Sequence, residues 1–190
     1  LIVHGRLLAE GSLYRRITFT KVPDLTSWAG LRFLDTQQES RLAYVNMAYC
    51  DAGSCAVLAD HAKVLLDRII WSHHTKQYLN FEDSSIVLRN SILPDISGTE
   101  LIHFWGFPAD GYALFEGNLF GGTTGYNDII DFTGGQRPGP IARFLNNMFI
   151  GGSDDCIDLD GADAHVEGNV FLHMRSGGNG DSLSHAVTTG

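Results

Sequence analysis

The sequence predicts an all-β chain wound as a parallel β-helix, a solenoid of about seven coils in which residues 1–190 form a single domain. Three observations carry that prediction. Apolar–variable–apolar triplets recur with a period of 23 to 28 residues, a second ladder runs half a period behind them, and no stretch shows apolar residues every three or four positions.

The first ladder is Leu31-Arg32-Phe33, Ala56-Val57-Leu58, Leu79-Asn80-Phe81, Ile102-His103-Phe104, Ile130-Asp131-Phe132 and Ile157-Asp158-Leu159. Each triplet reads as a short strand with one face inward. An acid or a glycine follows each one, at Asp35, Asp60, Asp83, Gly106, Gly134 and Gly161, as a tight turn requires. The second ladder is Asp67-Arg68-Ile69, Asn90-Ser91-Ile92, Asn118-Leu119-Phe120, Asn147-Met148-Phe149 and Asn169-Val170-Phe171. Asparagine tolerates left-handed turn conformations, and stacked amides can hydrogen-bond from coil to coil. Two or three short strands per coil, stacked in parallel, satisfy both ladders.

Composition excludes several functions. The chain has 44% hydrophobic and 18% charged residues, which supports a packed core rather than disorder. A net charge of −9 disfavours nucleic acid and anionic membranes and suits cation binding. No apolar run approaches the roughly 20 residues of a membrane span. The chain opens on Leu1-Ile2-Val3-His4-Gly5 and closes on Thr188-Thr189-Gly190, so it reads as a fragment of a longer helix, with further coils or domains of the same protein as its neighbours. Cys50 and Cys55 are close enough to bridge a turn; three small buried thiols are the alternative for them and Cys156.

These features resemble the pectin-lyase-like superfamily of right-handed parallel β-helices, over essentially the whole chain. The opening segments Gly5-Arg6-Leu7-Leu8-Ala9-Glu10-Gly11, Ile17-Thr18-Phe19 and Trp28-Ala29-Gly30-Leu31-Arg32-Phe33 resemble the first coils of secreted proteins of that kind. The resemblance implies a secreted or cell-surface location and a polysaccharide partner. It specifies the fold more closely than the function, since lyases, hydrolases, epimerases and adhesins share the scaffold.

Repeat spacing converts into geometry, because residues one period apart lie about 4.8 Å apart on adjacent coils. Glu100, Asp128 and Asp155 are expected in one outward column and His103, Asp131 and Asp158 in a parallel one, with Asp154 and Asp160 beside them. Such a cluster repels itself unless it is protonated, solvated or neutralised by a cation, and calcium, with six to eight oxygen ligands, is the expected cofactor. Asp131, Asp154, Asp155 and Asp158 resemble the calcium ligands of one pectate-lyase family, in which a basic residue removes a proton beside a uronate. No lysine follows Lys76, so Arg143, Arg175 or a residue after Gly190 would be the base.

A second set of motifs resembles polygalacturonases. Asp128 in Asp128-Ile129-Ile130-Asp131, the pair Asp154-Asp155, and His185 in Ser184-His185-Ala186 fall on three successive coils. That resemblance implies that Asp154 or Asp155 protonates the leaving group, that the other acts with Asp128 on water, and that His185 tunes them. Tyr126 replaces the family's asparagine, and Ser184 and Ala186 replace the glycines around its histidine. Against both readings stands plain turn decoration by Asp, Asn and Gly, which would make the chain a non-catalytic structural or adhesive β-helix. His103 beside Trp105 reads as partly buried packing more readily than as a sugar platform. His73 and His74 face opposite ways on a strand. Tyr112 and Phe115 are expected in or at the edge of the core, and His165 and His173 on the surface. The longer loops at Gly121 to Tyr126, Gly134 to Pro140 and Ser176 to Asp181 share the coils of the acidic columns, which favours a site there.

Overall fold

The structure, a computed structural model, describes residues 1–174 and 185–189. The described residues form three parallel sheets wound into a β-solenoid of about seven turns, and they contain no helix. Each coil contributes one strand to each sheet in turn. The first sheet stacks Ile2–Val3, Leu31–Leu34, Cys55–Asp60, Gln77–Glu82, Ile102–Trp105, Ile130–Thr133, Ile157–Asp158 and Val187–Thr188. The second stacks Leu8–Glu10, Ser40–Ala43, Lys63–Asp67, Ser85–Arg89, Ala113–Glu116, Ala142–Leu145 and Ala164–Glu167. The third stacks Ile17–Phe19, Val45–Ala48, Ile70–Ser72, Ile92–Leu93, Leu119–Phe120, Met148–Phe149 and Val170–Phe171.

Registered stacking places like residues over like and fills one continuous core. In the first sheet Phe104 stacks on Phe132 at 4.6 Å between ring centres. In the second, Phe115 stacks on Phe144 at 4.9 Å, which puts Phe115 in the core as expected. In the third, Phe120, Phe149 and Phe171 form a column with spacings of 4.8 and 4.9 Å. These distances are the coil-to-coil rise itself, so each ring buries its faces against its two neighbours.

Two details of the repeat differ from the sequence expectation by one residue. In the third coil the partner of Phe33 and Phe81 is Ala59, so the inward triplet is Val57-Leu58-Ala59 and Leu58 turns outward. The column has phenylalanines above and below this place, and the small Ala59 leaves room for their rings. The same shift moves the turn residue from Asp60 to His61, which joins Asp35, Asp83, Gly106, Gly134 and Gly161 in the left-handed conformation.

The amide ladder also starts one residue later, at Ser91 and not at Asn90. Asn90 occupies the left-handed turn position shared with Arg68, Gly117, Asn146 and Gly168. Gly168 suits that place, since its φ is +66° and a Cβ would meet the Asn146 Oδ1 at 2.3 Å unless that side chain moved. Ser91 N–H donates to Asn118 Oδ1 at 3.0 Å, Asn118 Nδ2 to Asn147 Oδ1 at 3.0 Å, and Asn147 Nδ2 to Asn169 Oδ1 at 2.9 Å. The ladder holds the corner between the second and third sheets where strand hydrogen bonding lapses.

Cys50, Cys55 and Cys156 are buried free thiols. His74 is buried beside Asp51 while His73 stacks on the Tyr49 ring, so the two histidines do face apart.

Candidate functional site

Each coil enters the first sheet through a corner at which two successive residues both turn inward. Leu101-Ile102, Ile129-Ile130 and Cys156-Ile157 are such buried pairs. Because alternation lapses there, the residue before each pair emerges on the same side as the residue after it. Three outward columns result. One holds Gln77, Glu100, Asp128, Asp155 and His185, linked coil to coil by Gln77 Nε2 to Glu100 at 2.7 Å, Asp155 N–H to Asp128 at 2.9 Å and His185 N–H to Asp155 at 2.6 Å. The second holds Asn80, His103, Asp131, Asp158 and Thr188 in register. The third holds Glu82, Trp105 and Thr133, with Asp160 accepting from the Thr133 hydroxyl. Both columns read from the repeat spacing are therefore present.

Side chains on these columns converge into two groups. In the first, one atom each of Glu100, His103 and Asp131 lie within 4.8 Å of one another. His103 Nδ1 stands 3.1 Å from Asp131 and 3.5 Å from Glu100. Hydrogen bonding to Asp131 and then Glu100 raises the imidazole to about 10, and His103 in turn holds Glu100 below the usual carboxylate range. This group carries its own cation. Trp105 stacks on His103 at 6.1 Å and is 59% exposed, so it is an open aromatic face and not packing.

The second group is Asp128, Asp155 and Asp158, again with one oxygen each within 4.8 Å. Burial pushes the Asp128 carboxyl up to about 7, against the hydrogen bond from Asp155 N–H and with the charges of Asp158, Asp154 and Asp155. Asp155 is buried and is gripped by the next coil: its Oδ1 accepts from His185 N–H and lies 3.1 Å from His185 Nδ1, and its Oδ2 accepts from the Thr188 hydroxyl. Burial raises Asp158, whose Oδ1 accepts from Asp160 N–H at 3.2 Å. Burial also raises Asp154, which is hydrogen-bonded to Tyr126 and belongs to neither group.

The sequence-derived sites are thus partitioned. Asp128, Asp155 and His185 come together, while Asp154 stands beside them. Of the four residues likened to calcium ligands, Asp155 and Asp158 stand together with Asp128, and Asp131 is taken by His103. Arg143 is in register with Leu114 and His165 in the second sheet, which removes it from this face. Arg175, Ser184 and the loop from Ser176 to Asp181 lie outside the described residues.

Sequence reasoning missed the residues that aim the carboxylates. Thr123 and Ser153 are buried; Ser153 N–H donates to Thr123 Oγ1 at 3.0 Å and Asn127 N–H to Ser153 Oγ at 3.1 Å, which fixes the chain just before Asp128 and Asp155. Asn127 further clips its own loop by donating to the Thr124 and Gly125 carbonyls. Their polar side chains in a Gly-rich loop read as ordinary turn chemistry, and only their recurrence a coil apart could have signalled a role.

In comparisons with protein-family models, curated proteins and solved structures, nothing matches this chain.

Proposed function

We propose that the chain is a polysaccharide-active protein, secreted or held at a cell surface, that lays a uronic-acid-containing glycan along the outer face of the first sheet and cleaves it by acid–base catalysis. One observation carries this reading: three carboxyl groups, Asp128, Asp155 and Asp158, converge within 4.8 Å on one outward face. Burial keeps the proton on Asp128 to about pH 7, so a proton donor stands beside carboxylates that can ionise. Glycosidic hydrolysis needs that pairing: an acid for the leaving oxygen, and a carboxylate that attacks or activates water. Asp128 is accordingly the donor, a role the motif resemblance assigned to Asp154 or Asp155. Asp158, or Asp155 as held by His185 and Thr188, is the carboxylate. Trp105 offers a sugar ring a flat apolar surface two coils from Asp158.

Calcium fits the second group better than the first. Its oxygens stand no farther apart than one ion with oxygen contacts of about 2.3–2.6 Å can span. Asp128, Asp155 and Asp158 would hold it, and it would neutralise a uronate carboxylate on this acidic face. It must compete with the Asp128 proton, so its affinity should rise through pH 7.

A structural role is favoured by a different observation: both oxygens of Asp155 are engaged by the following coil, which makes it a clip between turns. The test is product release from polygalacturonan and a panel of neutral glycans, read as new reducing ends and as the short-wavelength ultraviolet absorbance of unsaturated uronate. It is run with calcium and with chelator on wild type, Asp128→Asn and Asp158→Asn. Reducing ends without unsaturation, lost in Asp128→Asn, support hydrolysis; unsaturated product means elimination. Cleavage that neither substitution alters would leave the acids a structural part.

A further inference from the structure

Glu100, His103 and Asp131 form a donor set of a different kind from the three-carboxylate group, with one imidazole nitrogen and two carboxylates. The backbone brings them together. Leu101 and Ile102 both turn inward, so Glu100 and His103 emerge on one side, and register sets Asp131 beside His103 on the next coil.

An ion pair alone leaves two features of this group unexplained. His103 Nδ1 stands 3.1 Å from Asp131 Oδ2 and 3.5 Å from Glu100 Oε1, yet it carries at most one proton, which can point along only one of those lines. The other oxygen of Asp131, Oδ1, is shut off from solvent without a hydrogen-bond partner. A buried carboxylate oxygen in that state is costly, and a cation within its reach relieves it. Charge points the same way: two carboxylates face one imidazolium, and Asp158 follows Asp131 in the same column.

The spacings suit a small transition-metal ion. Ligands placed tetrahedrally at zinc's bond lengths of about 2.0–2.2 Å stand about 3.3–3.6 Å from one another. The Nδ1 distances of 3.1 and 3.5 Å match this to a few tenths of an ångström. Calcium is a poorer fit, since it takes six to eight ligands, all oxygen, whereas imidazole nitrogen suits zinc. Glu100 is also aimed from behind. Gln77 Nε2 donates to its Oε1 at 2.7 Å, Asn80 Nδ2 fixes that amide by donating to Gln77 Oε1 at 3.0 Å, and the Thr99 hydroxyl donates to Glu100 Oε2 at 3.3 Å. Support of this kind orients metal-binding carboxylates. The three side chains remain 22 to 29% exposed, so an ion can reach them from the outer face and a water can complete the tetrahedron.

We propose that Glu100, His103 and Asp131 bind a zinc ion, with His103 ligating through Nδ1 in place of the proton it holds in the metal-free protein. The charges then balance, a divalent ion against two carboxylates and a neutral imidazole. This site is separate from the calcium position at Asp128, Asp155 and Asp158, and it does not depend on the glycan reading.

Zinc titration by calorimetry on the untagged chain, in excess calcium, tests this, with cobalt(II) as an optical probe. Wild type should bind one zinc, and bound cobalt should show the strong visible bands of tetrahedral coordination. Gln77→Ala, which removes the support behind Glu100, should weaken binding about 10–100-fold, and His103→Gln, which removes a ligand, by more. Asp158→Asn should keep it within a few-fold. Circular dichroism checks that each variant folds, and Glu100→Gln takes the place of His103→Gln if that one does not. No zinc bound by wild type, or equal binding by wild type and His103→Gln, means that the group is an ion pair only and overturns the proposal. Binding lost in Asp158→Asn but kept in His103→Gln places the ion among the three carboxylates and overturns it as well.

Discussion

Asp128→Asn should make the protein more stable at neutral and alkaline pH while removing any acid catalysis. Burial first, and the neighbouring carboxylates after it, raise the Asp128 carboxyl from 3.8 to about 7. Ionising it therefore works against the folded state. Below about pH 4 the group is protonated in both folded and unfolded chains, and it adds no penalty. Between about pH 4 and 7 only the unfolded chain ionises it freely, so stability falls as pH rises, and above about pH 7 the full penalty applies. At 1.36 kcal/mol per unit the shift amounts to about 4 kcal/mol, and solvent screening of a half-buried group reduces this to about 2 kcal/mol. An asparagine keeps the oxygen that accepts from Asp155 N–H and replaces the charge with an amide donor facing Asp155 and Asp158. Urea unfolding from pH 4.5 to 8.5 is the assay. The variant should match wild type at the acid end and exceed it by about 2 kcal/mol at the alkaline end. Some slope will survive in it, since Asp154 and Asp158 are raised in the same direction. A variant that is less stable than wild type at pH 8, or that keeps the wild-type slope, would refute the burial argument.

Three other outcomes follow from the same geometry. His103, raised to about 10 by Asp131 and Glu100, contributes stability that is complete below about pH 6.5 and lost as pH climbs through 10. His103→Gln should therefore flatten the stability profile between pH 7 and 10, and urea midpoints would show it. Asn147→Ala should cost about 3–5 kcal/mol by chemical denaturation. It deletes the amide that bonds Asn169 and the Phe115 carbonyl, and the acceptor for Asn118 N–H, inside a buried ladder. Trp105→Ala should change the melting temperature little, since the ring is largely exposed, but should raise KM for a long glycan with kcat nearly kept; an unchanged KM would remove Trp105 from the binding face.

Much of this architecture was legible because a solenoid repeats its constraints. Phe104 and Phe132, or Asn118 and Asn147, occupy equivalent places on successive coils, and the spacing of such residues states both the period and the face. The outward columns through Glu100 and His103 follow from that period alone. The register failed at Leu58 and Ala59 because composition favours the larger apolar residue inside, whereas the flanking Phe33 and Phe81 leave room for the smaller one.

What the sequence by itself determined is the fold and the face on which the acids lie, since period and hydrophobic alternation are local properties that every coil restates. Tertiary structure alone decided how those acids divide. Whether a carboxylate meets an imidazolium, as Asp131 does, or sits buried among other carboxylates and keeps its proton, as Asp128 does, depends on side-chain direction at a corner where strand alternation lapses. Electrostatic energies change steeply over the few ångströms involved, and no spacing along the chain encodes them.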